Sequence, residues 1–116
     1  MSPHAPGITV DRWAEPEPPT ALELERRLKA EGLQPYRYSD PPGTTYPPHR
    51  HRSREVRWLL CGRMRVRLSG GDGEIVLAPG DRLDLPPGVE HTVVIDGDDP
   101  AVCVAAEGDG RFSPVQ

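Results

Sequence analysis

Apolar positions along the chain change their period once. From residue 20 to 31 they follow helical spacing: Leu24 and Leu28 share one side, and Glu23/Arg27 and Glu25/Lys29 are i,i+4 pairs. Thr20 follows Pro18-Pro19 and stands three residues before Glu23, a capping-box pattern, while Gly32 and Pro35 close the segment. A short helix over 20–31 is expected, plugging or flanking the main domain. After Gly32 the apolar residues come in short runs rich in Val, Leu, Ile and aromatics, each ended by Gly, Pro or Asp. Strands are predicted at 36–39, 55–61, 63–68, 74–77, 82–85, 92–95 and 102–105, with turns at 69–73 and 79–81 and no helix after residue 32. This pattern reads as an all-β antiparallel sandwich or small barrel. Residues 1–19 hold five prolines and few apolar residues, which predicts an extended arm, loosely ordered or hugging the surface. The expected organisation is an arm (1–19), a helix (20–32), one barrel domain (33–110) and a tail (111–116).

Two local patterns refine this picture. Arg63, Arg65 and Arg67 alternate strictly with Met64, Val66 and Leu68, so the arginine row reads as the solvated face of a half-buried strand. Trp58 and Leu60 lie on the face opposite Glu55, which predicts either a homodimer interface or cover from the helix. Composition then excludes several classes. Fifteen prolines in 116 residues rule out a helical bundle. Fourteen basic residues against 18 acidic ones, a net charge of −4, argue against a general nucleic-acid binder. No apolar run approaches the ~18 residues of a membrane helix, and the start lacks a basic-then-apolar signal pattern. Cys61 and Cys103 sit far apart in apolar stretches and read as small buried thiols of a reduced compartment, so a cytoplasmic location is expected.

Three of the four histidines fall in two tight contexts. The first runs from Gly43 through His49, His51 and Glu55 to Gly62. On an extended strand the imidazoles of His49 and His51 point the same way, and Glu55 shares their parity if the strand runs on unbroken. Two imidazoles and a carboxylate on one face begin a first-row transition-metal site. The second context runs from Gly80 through Pro86 and Gly88 to His91, where a Pro-Pro-Gly turn delivers the histidine to the next strand.

These spacings resemble the two motifs of the cupin superfamily: Gly, five residues, His-x-His, three residues, Glu, six residues, Gly; then Gly, five residues, Pro-x-Gly, two residues, His. Ile95 stands where the second motif ends in Asn. Over roughly residues 36–106 the chain is similar to small single-domain bacterial cupins. The resemblance implies a jelly-roll-like barrel with one divalent transition metal ion (Fe, Mn, Ni, Zn or Cu) in its mouth. It implies His49, His51, Glu55 and His91 as ligands, with Glu55 also the candidate for proton transfer. His4 reads as a bystander.

Arg57 shares the parity of Glu55. Facing the lumen it needs an anionic partner, a substrate carboxylate or an inner acid; facing outward it covers the strand edge. Tyr46 is placed to hydrogen-bond at the mouth or simply to pack. No Cys, Lys or Tyr stands out as a second catalytic group. The expected function is that of a metal-dependent enzyme acting on a small molecule, oxygenase-like or isomerase-like. A non-catalytic metal- and ligand-binding or sensor module is the alternative, and a purely structural barrel is least favoured.

Overall fold

The computed structural model describes residues 7–71 and 73–108. His4 and the 111–116 tail therefore lie outside the described residues. Helix α1 spans Ala21–Ala30; Thr20 is extended, and its hydroxyl accepts from the Glu23 amide at 3.2 Å, which satisfies one of the free amides of the first turn. Among the described residues, nine strands follow the order β1 (Thr9–Asp11), β2 (Tyr36–Asp40), β3 (Thr45–His49), β4 (Glu55–Cys61), β5 (Met64–Leu68), β6 (Glu74–Leu77), β7 (Arg82–Leu85), β8 (His91–Ile95) and β9 (Ala101–Glu107). They build a five-stranded sheet, β1-β7-β4-β9-β2, and a four-stranded sheet, β3-β8-β5-β6. Every pairing is antiparallel.

All seven predicted strands are present, and two more join them. β1 lies in the proline-rich arm, where Ile8 enters the core and β1 pairs with β7; the arm hugs the surface here. β3 contains Pro47 and Pro48, which an edge strand tolerates because only one side of it must pair. Ser69–Gly71 form a tight turn with a left-handed Gly70, φ 79°, inside the turn expected at 69–73.

Alternation divides the apolar residues between two layers. Leu59, Met64, Val66, Leu77, Leu83 and Ile95 fill the space between the sheets. On the outer side of the five-stranded sheet, Leu24, Leu28 and Leu33 pack on Val56, Trp58, Val104 and Ala106. Trp58 is therefore covered by the helix rather than left as an open apolar face, and its indole N–H donates to the Gly80 carbonyl at 2.9 Å. Between helix and sheet, Arg82 donates to Glu31 at 2.6 and 2.9 Å and to Asp84 at 2.8 and 3.1 Å. Asp84 also accepts from Arg54 at 2.6 Å. The Arg82 guanidinium holds the Glu31 carboxyl below the usual carboxylate range. On β5 the arginine row is the solvated face: Arg65 and Arg67 pair with Glu74, and Arg63 and Arg65 with Asp96.

Cys61 corrects the expectation of two buried thiols: it is exposed, whereas Cys103 is buried. The register of β4 against β9 shifts between Leu59 and Cys61, and this bulge takes Cys61 off the inward parity of Leu59. Burial pushes the Cys103 thiol up from 9.0 to about 11. A folded-state value above the unfolded one makes the thiol's contribution to stability disappear as pH rises from about 9 towards 11. At pH 8, Cys61 is expected to react with a chromogenic disulfide reagent in the native protein and Cys103 only in urea. Rapid modification of both in the native state would contradict the buried placement. No helix among the described residues is long and apolar enough to cross a membrane.

Candidate metal centre

The first histidine motif is divided between the two sheets. Strand β3 ends at His49 and β4 begins at Glu55, with His51 on the connection between them. This corrects the single extended ligand strand: parity along one strand does not align these residues. The fold does. His49 is the cross-strand partner of His91 on β8. The Gly88 amide, in the Pro-Pro-Gly turn, donates to the His51 carbonyl at 2.9 Å. Glu55 lies on the inner side of β4, 1% exposed. Ring centroids are 4.3 Å apart for His49 and His91, 5.0 Å for His49 and His51, and 5.9 Å for His51 and His91.

Hydrogen bonds fix which nitrogen each ring offers. His49 Nδ1 lies 2.8 Å from the Pro47 carbonyl, and His91 Nδ1 lies 2.8 Å from the Val89 carbonyl. A carbonyl only accepts, so both Nδ1 atoms carry the proton and both Nε2 atoms present a lone pair. Burial is the main influence on His91 and lowers its pKa, against the Val89 carbonyl and Glu55, so its ring is neutral at pH 7. His51 Nε2 is 2.7 Å from Glu55 Oε2, yet it is buried without a hydrogen bond, because the approach lies off the hydrogen-bond direction. Glu55 Oε1 is 3.5 Å from His91 Nε2. An orphaned buried imidazole nitrogen beside a carboxylate, with the Nε2 lone pairs of His49 and His91 converging on it, fits a cation better than a hydrogen-bond network.

Among the described residues, two donor groups are compact enough to hold one ion: His49 with His51 and His91, and His51 with Glu55 and Glu107. The sequence reading missed Glu107. Its only signal is register, since β9 sets Glu107 opposite Glu55.

The donors open on a cavity of about 450 Å³, within the range of small-molecule sites, roughly 300–1,000 Å³. Arg57 faces it and donates to Glu55, so the lumen-facing reading with an inner acid is the one observed. Tyr46 lines the mouth, and its hydroxyl donates to Asp40 at 2.7 Å. Tyr36 and Tyr38 also line the cavity; the alternation of β2 was the available signal. Burial, chiefly, raises the Tyr38 hydroxyl well above its usual value, so it keeps its proton.

Family comparison agrees with the fold. The chain matches the cupin domain family over residues 36–107, and it belongs to that family. It resembles the DMSP lyase DddQ from Ruegeria pomeroyi DSS-3 at 30% identity and a TM-score of 0.57, over 73% of this chain and 43% of the lyase. The chain thus spans less than half the length of that lyase. It resembles KdgF from a Halomonas species at 21% identity and a TM-score of 0.55, over 89% and 82% of the two chains. A cupin 2 conserved barrel domain protein from Salinispora arenicola CNS-205 aligns at 22% identity and a TM-score of 0.58, over 88% and 76%. No curated protein matches the chain.

Proposed function

We propose that the chain is a metal-dependent enzyme acting on a small organic molecule, oxygenase-like or isomerase-like, with His49, His51, Glu55 and His91 holding the ion. One observation carries this reading: His49 and His91 are held with Nε2 lone pairs free, the donor atoms of His49, His51 and His91 lie within 4.8 Å of one another, and His51 and His91 border Glu55 at the mouth of a cavity. Such an ion would polarise a substrate oxygen or bind O2. The chain's own residues favour the proton-transfer branch. Glu55 is the group placed to accept a proton, and Tyr38, which keeps its proton, can donate a hydrogen bond to a substrate oxygen but is a poor acid. Tyr36 and Tyr46, held by Glu107 and Asp40, orient their hydroxyls at the mouth. Likeness to a protein named as a lyase is consistent with this branch, since elimination also moves a proton.

Elemental analysis of tag-free protein tests the centre. About one equivalent of a first-row metal is expected in the parent, and below roughly a tenth of that in His49→Ala and His91→Ala. A parent that takes up no Fe, Mn, Ni, Cu or Zn on reloading would overturn the reading.

A further inference from the structure

We infer that the cavity takes a monocarboxylate with an apolar body, its carboxylate held by Arg57 beside the ion. The inference rests on the metal-binding reading above and deepens it. Arg57 is largely buried, its side chain 17% exposed, and Glu55 is its ion-pair partner. One Nη2 contact to Glu55 and a long 3.5 Å contact from Nη1 to the Val56 carbonyl use only part of the guanidinium fork. Five N–H donors are present on that group, so donors remain that face the cavity.

Charge then specifies the ligand. Glu55 and Arg57 are the charged side chains among the lining residues, and they neutralise each other. Glu107, whose carboxylate lies within 4.8 Å of the Glu55 and His51 donor atoms, offsets part of a divalent ion's charge and leaves one net positive charge beside apolar walls, a costly state unless an anion enters. A carboxylate matches the planar fork of Arg57 and also suits a first-row ion. The remaining walls are Met64, Val66, Leu83, Leu85 and Val93, which select an apolar body. At the rim stands Asp40, accepting from the Tyr46 hydroxyl at 2.7 Å. Its charge disfavours a second carboxylate at that end.

Calorimetric titration of the Zn(II)-loaded full chain tests this with 3-methylbutanoate, 3-methylbutanamide and succinate. The monocarboxylate is expected to bind at least roughly tenfold tighter than the amide or succinate, and Arg57→Met to lose at least roughly tenfold of that affinity, with Arg57→Lys intermediate. Metal-free Glu55→Gln supplies an arm that needs no ion. Its Arg57 has lost the side-chain anion that pairs with it among the described residues, so 3-methylbutanoate is expected to bind there and not to the metal-free parent. If the parent takes no metal while Glu55→Gln still binds the acid, the enzyme reading fails and the Arg57 site stands. If the loaded Arg57→Met protein, folded by its thermal midpoint, binds the acid as tightly as the parent, the Arg57 site is wrong and the metal reading stands. Equal affinity for the amide or for succinate also overturns the assignment.

Discussion

Gly62→Ala is expected to destabilise the metal-free protein by roughly 3–5 kcal/mol, against roughly 1–2 kcal/mol for Gly43→Ala. The two glycines share a left-handed backbone, with φ of 90° and 86°, so an alanine suffers the same conformational penalty at each. They differ in space. A Cβ on Gly62 would meet the Pro100 carbonyl oxygen at 2.4 Å and Ala101 Cα at 2.7 Å, whereas one on Gly43 would meet nothing within 4 Å. The atoms opposing Gly62 are backbone at the start of β9, which pairs with β2 and β4 and cannot step aside as a side chain would. Urea unfolding of the two variants reads the difference directly. Equal losses would mean that the 100–101 segment gives way.

Asp84→Ala is the second large effect. Asp84 is 7% exposed and accepts from Arg82 and Arg54. Truncation leaves two guanidinium groups short of an anion, one of them on a residue 9% exposed. Breaking a buried pair from one side typically costs ~3–5 kcal/mol. Glu31 still holds Arg82, so the lower end, about 3 kcal/mol, is expected, with a fall in Tm of roughly 10 °C or more. A loss under about 1 kcal/mol would mean that water reaches both arginines and replaces the carboxylate.

These two positions also mark what the sequence makes legible. The spacing of Gly43, His49, His51, Glu55, Gly62, Gly80 and His91 identifies the family and the cluster of donors. It does not say that Gly62 answers to Pro100, because that contact is made only when β4 and β9 pair. Strand β3 was hidden by Pro47-Pro48, whose usual effect is to end a strand. His49, His51 and Glu55 were assigned to one strand by parity. They meet because two strands in different sheets, joined by a loop, converge there. Tyr36, Tyr38 and Glu107 carry no motif and reach the cavity through the alternation of β2 and the register of β9. The helix was readable throughout: its cap, its ion pairs and its apolar side are all local, so no distant contact had to be guessed.

The arm has a consequence for how the chain comes off the ribosome. Strand β1 is made early, yet its partner is β7, and Arg12 reaches Asp81 across 69 residues of sequence. Strand β1 must wait unpaired until β7 has been made, and until the two dock β7 is left with a bare edge, the kind of surface that recruits foreign strands. Closure of the larger sheet is therefore a late, long-range event, slow by the measure of contact order. Yield on overexpression should then depend on the integrity of β1 and Arg12 as much as on the barrel itself.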